Sequence, residues 1–168
     1  EIGVGFMFAP AHHGAMKHAI GPRRELAMRT IFNILGPITN PAGVKRQVLG
    51  VFDKSLCLVM AKVLKHLGSV HVMVLHSEDG LDEISPVAKT HVAELKEGDI
   101  TQYQIDPTEF GCSHRDLSGL SVSSAGDSLK LIRAVFSSDS AADKASDMVK
   151  LNAGAAIYVS GVAATFKE

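Results

Sequence analysis

Two short segments concentrate the side chains able to do chemistry. The first carries His12-His13, with His18 five residues on, followed by Arg23-Arg24 beside Glu25. The histidine spacing does not match His-Glu-x-x-His, and adjacent histidines on one backbone seldom converge on one ion, so these rings read as polar contacts to a ligand or as capping and surface groups. An arginine at a helix start works against the helix dipole. Arg23 could therefore be placed to grip a carboxylate through its planar fork, or equally to form a surface ion pair with Glu25. The second segment is Gly80-Leu81-Asp82-Glu83-Ile84-Ser85. Adjacent carboxylates are hard oxygen ligands of the kind Mg²⁺ takes when it keeps several waters and bridges to phosphates. Two unpaired acids would also oppose each other's ionisation, which a divalent cation would relieve. The alternative is a helix N-terminus, where the dipole favours acids too.

Charge supports the same two segments. The whole chain is balanced, with 17 Lys+Arg against 18 Asp+Glu over 168 residues, which excludes a chain-wide electrostatic nucleic-acid binder. Over residues 11–50, however, Lys17, Arg23, Arg24, Arg29, Lys45 and Arg46 face Glu25 alone, while Glu78, Asp79, Asp82 and Glu83 crowd together without a base. That pairing suits an anionic substrate held with a metal ion; a solvated surface is the competing reading. The longest apolar runs, at 70–75 and 153–159, fall short of the roughly 20 residues a membrane span requires. Cys57 and Cys112 cannot make a disulfide framework, Cys57 reads as a buried thiol, and a reducing, cytoplasmic setting is expected. The start at Glu1, with neither Met nor a signal-peptide pattern, suggests an internal piece of a longer protein. There is no Walker loop, no Gly-x-Gly-x-x-Gly after a strand and no Gly-x-Ser-x-Gly elbow, so neither phosphate-loop chemistry nor a covalent mechanism is expected.

The elements that must position these groups form an α/β pattern. An apolar run at 3–9 reads as a buried strand, and 15–27 has helical composition broken by Gly21-Pro22. Thr30 can cap a short helix through Leu35, stopped by Gly36-Pro37, with Asn40-Pro41 as a loop signal. Residues 46–52 read as a strand, 54–67 as a helix with Leu56, Val59, Met60, Val63 and Leu67 along one face, and 70–76 as a second strand. Such a unit implies a parallel pair, and the acidic segment then emerges at the carboxyl end of its second strand, where open α/β sheets bind ligands. Residues 90–95 and 100–105 predict an antiparallel hairpin on the periphery, and 107–121 mostly loop. Ser124 or Ala125 opens a helix carrying Leu129, Ile132 and Phe136, and 141–159 forms a last, Ala-rich helix. The expected architecture is one α/β domain over 1–168, with a central mostly parallel sheet flanked by helices and a small antiparallel hairpin.

Several runs carry a resemblance. Gly5-Phe6-Met7-Phe8-Ala9-Pro10-Ala11-His12-His13-Gly14-Ala15-Met16-Lys17, then Arg23-Arg24-Glu25-Leu26, then Arg29-Thr30-Ile31-Phe32-Asn33-Ile34-Leu35-Gly36-Pro37-Ile38-Thr39-Asn40-Pro41-Ala42 closely resemble the anthranilate phosphoribosyltransferase family of tryptophan biosynthesis. The Gly80 to Ser85 motif and Leu151-Asn152-Ala153-Gly154-Ala155-Ala156 match the same family in the same order, so the resemblance covers nearly the whole chain. It implies a nucleoside phosphorylase/phosphoribosyltransferase-like α/β domain that transfers the phosphoribosyl group of 5-phosphoribosyl diphosphate to the amine of anthranilate, with Mg²⁺ and release of diphosphate. By position, His13 resembles the family's anthranilate-site histidine, Arg23 its carboxylate-binding arginine, and Gly36-Pro37 the turn lining the aromatic ring. Asp82 and Glu83 match the pair that binds the second Mg²⁺. No catalytic side chain is implied, because positioning and leaving-group stabilisation suffice.

Two departures stand out. Gly14 replaces the Pro usual after the histidine, and Ala27 the Gly common after Glu-Leu. The resemblance also implies that the family's N-terminal helical domain, its Gly-Thr-Gly-Gly-Asp loop and its Lys-His-Gly-Asn-Arg stretch lie before Glu1, that the enzyme is a homodimer through that domain, and that this portion alone is inactive. Competing readings are a non-catalytic relative that binds nucleic acid, which would lose the anthranilate-site residues and gain a basic groove, and a pyrimidine nucleoside phosphorylase, which would need a different base-recognition pattern.

Overall fold

The computed structural model describes residues 5–8, 35–36, 38–40 and 42–168. The expected helix over 15–27, together with His13, Arg23 and Pro37, lies outside them. Residues 1–43 and 44–168 form two compact units. In the first, residues 5–8 are exposed and unpaired as a strand among the described residues, with Phe6 90% exposed. Leu35, Gly36 and Ile38 are helical, so the helix expected to stop at Leu35 runs further. Thr39 ends it by donating its hydroxyl to the Leu35 and Gly36 carbonyls at 3.1 and 3.2 Å.

The second unit is built on four strands, β1 (Arg46–Gly50), β2 (His71–Ser77), β3 (Thr90–Lys96) and β4 (Asp99–Ile105), in the order β1-β2-β3-β4. Helix α1 (Ser55–His66) joins the parallel pair β1 and β2, as the strand-helix-strand pattern requires. The other two pairings are antiparallel, so the described sheet is mixed, and the expectation of mostly parallel strands narrows to β1 and β2. The 90–105 hairpin is also no peripheral excursion. β3 pairs with β2 along its whole length, from His71 opposite Lys96 to Ser77 opposite Thr90, which makes β2 an interior strand. Val72, Met73, Val74 and Leu75 of β2 are accordingly buried on both faces.

Two helices cover the sheet. α1 buries Cys57, Met60, Ala61 and Leu64, an i, i+3, i+4, i+7 stripe. This stripe is rotated from the expected one, since Val59 and Leu67 are each 52% exposed. Burial pushes the Cys57 thiol up to about 11, and Cys112 is likewise raised by burial, so both cysteines serve as apolar packing groups. Helix α3 (Asp143–Ser160) contributes Leu151, Ala155, Tyr158 and Val159 to the main core with Met73, Leu75 and Ile84. Helix α2 (Ala125–Phe136), capped by Ser124, buries none of its residues, and the face carrying Leu129, Ile132 and Phe136 is exposed. No described helix is long and apolar enough to cross a membrane.

A polar knot lies inside the sheet layer. Glu94 of β3 accepts hydrogen bonds from His71 at 2.7 Å, Tyr158 at 2.7 Å and Tyr103 at 2.8 Å. Lys96 donates to the Tyr158 hydroxyl at 3.1 Å and stands 4.7 Å from its ring centroid. Burial alone would push the Glu94 carboxyl up, but the three donors outweigh it and hold the carboxyl below its ordinary range. Glu94→Gln is therefore expected to cost about 3 kcal/mol at neutral pH, because an amide cannot accept at both positions and a buried donor is left unpaired. A lowered folded-state pKa means that this contribution is full above the unfolded-chain value of roughly 4.3 and disappears as pH falls through the lower folded value. Urea denaturation of both chains between pH 7 and pH 3 should show their stabilities converging toward acid.

Candidate functional site

The acidic segment lies in the loop between β2 and β3, at the carboxyl end of the parallel pair. Its geometry is set from three sides. A turn opens it, with the Gly80 N–H donating to the Ser77 carbonyl at 2.9 Å, and Gly80 takes a φ of +90° that favours glycine. From below, Gly50 at the end of β1 meets the backbone of Asp82. A Cβ built on Gly50 would lie 1.6 Å from the Asp82 carbonyl oxygen and 2.6 Å from its carbon. The loop can rest there only because residue 50 has no side chain. From the side, Asn152 of α3 reaches across to Ile84. Its Oδ1 accepts the Ile84 N–H at 2.9 Å, and its Nδ2 donates to the carbonyls of Ile84 and Met148, each at 2.9 Å.

The rest of the loop is tied down by buried hydroxyls. Ser85, fully buried, donates to Asp79 at 2.6 Å, while its oxygen accepts the N–H groups of Val87 and Ala88 at 3.0 and 3.2 Å. Thr90, also fully buried, accepts the Ser85 N–H at 3.2 Å. Ile84, immediately before Ser85, is buried in the main core. At the end of β2, the His76 Nδ1–H donates to the Val51 carbonyl at 2.8 Å, tying the ends of the parallel pair together.

These contacts separate the four acids. Glu78 lies 3.1 Å from the His91 Nε2 and accepts from Gln104 at 2.9 Å. Asp79 accepts from Ser85 and from the Leu81 N–H. The carboxylates of Asp82 and Glu83 have no hydrogen-bond or ion-pair partner among the described residues, and both are exposed. Partial desolvation, with the Asp82 charge beside it, pushes the Glu83 carboxyl above its ordinary value. The alternative of a helix N-terminus fails, since the segment leads through irregular backbone into β3. Two accessible, mutually repelling carboxylates on a rigid loop fit a hydrated divalent cation. No group of three His, Cys, Asp or Glu side chains able to hold a metal occurs among the described residues.

Of the four residues that the resemblance implies for an anthranilate subsite, only Gly36 is among those described; it is exposed, with open space around its Cβ direction. The cationic segment is smaller than its charge count implies. Lys45 donates to the Leu67 carbonyl at 3.1 Å, at the end of α1, and Arg46 to the Val159 carbonyl at 2.9 Å, at the end of α3. Both cations serve helix C-termini, where the dipole favours them. Sequence reasoning missed Gly50 and the side-chain role of Asn152. The Leu151 to Ala156 run marks Asn152 without saying what it holds.

The family model described as "Glycosyl transferase family, a/b domain" matches residues 1–168. The chain belongs to this glycosyl transferase a/b-domain family. Among curated proteins it is 64% identical over 170 residues to the anthranilate phosphoribosyltransferase of Marinobacter nauticus and 61% identical over 170 residues to that of Teredinibacter turnerae, with 100% of this chain and 50% of each relative covered. The chain thus spans about half the length of the curated relatives it matches. Among solved structures, the anthranilate phosphoribosyltransferase of Thermus thermophilus superposes with a TM-score of 0.86 at 36% identity, covering 97% of this chain and 47% of that one. The Saccharomyces cerevisiae enzyme in complex with 5-phosphoribosyl diphosphate (PRPP) and Mg superposes at 0.78 and 27% identity, covering 92% and 44%. The glycosyl transferase a/b fold is therefore shared over the great majority of the chain.

Proposed function

We propose that this chain is the α/β portion of an anthranilate phosphoribosyltransferase, moving the phosphoribosyl group of 5-phosphoribosyl diphosphate to the amine of anthranilate in tryptophan biosynthesis. Asp82 and Glu83 would hold Mg²⁺ at the diphosphate. One observation carries the reading: among the described residues, Asp82 and Glu83 are the two acids of this loop whose carboxylates have no partner, and the backbone that carries them is held from three sides. The relatives' names and the yeast complex with PRPP and Mg support it. Bound Mg²⁺ supplies charge neutralisation for the departing diphosphate.

His13, Arg23, Gly36 and Pro37 form the anthranilate subsite in this reading. Arg23 fixes the carboxylate through its guanidinium, and the Gly36-Pro37 turn flanks the ring and aims the amine. The aniline nitrogen is weakly basic, so no strong base is needed, and no covalent enzyme intermediate forms. Two buried free thiols suit a cytoplasmic setting, and the complete enzyme is a homodimer.

A chimera joining this chain to the unmatched half of the Marinobacter nauticus enzyme tests the proposal. It should consume anthranilate, followed by loss of its fluorescence, only when 5-phosphoribosyl diphosphate and Mg²⁺ are present, and the 168-residue chain alone should not. A folded chimera without turnover, beside an active parent, would overturn the assignment. In the active chimera, Arg23→Ala should raise KM for anthranilate by about two orders of magnitude, the cost of a lost charge-assisted pair, and leave KM for 5-phosphoribosyl diphosphate within about twofold. Equal changes in both would count against Arg23 as the carboxylate ligand.

A further inference from the structure

We infer that Asn152 is a positioning residue of the metal site, so that helix α3 sets where the Asp82-Glu83 pair stands. The inference rests on the metal reading above and adds a residue that touches neither metal nor substrate. An amide side chain has one acceptor oxygen and one two-proton donor, and Asn152 uses both on the single residue after the acid pair. It takes the Ile84 N–H and gives to the Ile84 carbonyl, so the peptide units on both sides of Ile84 are held. The second proton goes to Met148 within α3, which fixes the amide's own rotation. The peptide unit ending at the Ile84 N–H begins at the Glu83 carbonyl, so holding it fixes the backbone from which the Glu83 carboxylate projects.

The opposite support is steric. The backbone of Asp82 lies on Gly50 at a separation no side chain would permit. The backbone that carries the two adjacent carboxylates is thus clamped between the end of β1 and the flank of α3. Such a clamp matters for binding because adjacent carboxylates repel, and a loop free to move would let them diverge when no cation is present. Outer-shell partners of this kind typically influence metal affinity by about tenfold or more when removed. Buried knots elsewhere lack this relation to the acids. The Glu94 cluster, for example, involves the first residue of β2 and the last turns of α3, at the other end of the strand.

Mn²⁺ is the probe, read by the loss of its free-ion electron paramagnetic resonance signal on titration with the 168-residue chain. Asn152→Leu, equal in size without hydrogen bonds, should raise the Kd for Mn²⁺ by about tenfold. Asn152→Ser, too short to span both groups, serves if the leucine variant does not fold and should give a rise in the same direction. Asp82→Asn with Glu83→Gln should abolish specific binding. Glu94→Gln, comparably destabilised but far from the loop, should stay within about twofold of the native chain.

If the acid variant loses binding while the Asn152 variants keep native affinity, the positioning role is overturned and the metal reading stands. If Glu94→Gln weakens binding as much as the Asn152 variants, general destabilisation explains the effect and the positioning role again fails. If the native chain binds Mn²⁺ no better than the acid variant, the metal reading itself is overturned, and the inference with it.

Discussion

Gly50→Ala is expected to lose about 3 kcal/mol of stability and, in the active chimera, about two orders of magnitude in kcat. The cause is a single methyl group. Its carbon would start 1.6 Å from the Asp82 carbonyl oxygen and 3.0 Å from the Asp82 Cβ, well inside contact distance of backbone that cannot rotate away. Either β1 withdraws from β2 or the loop lifts from the sheet, and the second displaces the acid pair. A displacement of about 1 Å in a positioned group is sufficient for such a kinetic loss. Gly126→Ala is the matched control, because a Cβ there meets only the Ser124 hydroxyl at 3.7 Å and replaces glycine in a helix. It should be neutral or stabilising by up to about 1 kcal/mol. Thermal melts beside steady-state assays separate the two; Gly50→Ala with native melting temperature and native kcat would show that the loop does not depend on this contact.

Asp82→Asn combined with Glu83→Gln should have the opposite signature. Neither carboxylate has a protein partner among the described residues, so none of the described hydrogen bonds or ion pairs is lost. The raised Glu83 carboxyl shows that its charge is unfavourable in the folded chain, through desolvation first and Asp82 second. For a group whose folded pKa is raised, ionisation opposes folding at neutral pH, and the penalty fades as pH falls through the folded value. The double variant should therefore melt at or slightly above the native temperature at pH 7, with any advantage vanishing toward acid. Turnover of the chimera should nevertheless fall by about a thousandfold, the scale of a lost electrostatic clamp on a leaving group. Loss of stability together with activity would assign the acids a structural role.

Some of this architecture was legible in the sequence because local pattern decided it. The apolar alternation between Arg46 and Ser77, interrupted by a helical stretch, places α1 between two parallel strands and the acids after the second. Ser124 caps α2 through the Asp127 N–H, as its position before the helix suggests. Residues that act across the fold were harder to read. Lys45 and Arg46 count as local positive charge in sequence, yet each is satisfied by the end of a helix remote along the chain. The hairpin at 90–105 carries Glu94, Lys96, Gln102 and Gln104, which look like solvent-facing groups in sequence. Glu94 is nevertheless buried, because His71, Tyr103 and Tyr158 converge on it from three elements.

The helices show the same limit. Leu56, Val59 and Val63 are apolar enough to define a face on α1, but the short side chains Cys57 and Ala61 allow closer approach to the sheet and take the buried positions. On α2 the periodicity of Leu129, Ile132 and Phe136 identifies an apolar face without identifying a covering element, and the face is exposed. At the site, the acid pair was visible as a motif. The contacts that hold the backbone of this pair, Gly50 beneath and Asn152 beside, join positions far apart along the chain, and a single sequence shows such coincidences only as isolated letters.

The most direct measurement is anomalous diffraction from crystals of the chimera grown with Mn²⁺ and 5-phosphoribosyl diphosphate. The expected result is an anomalous peak within coordination distance of the Asp82 and Glu83 carboxylates and the diphosphate, lost when both acids are replaced by their amides. A peak on the diphosphate with both carboxylates turned away, or one unchanged in the amide variant, would contradict a metal site at this acid pair.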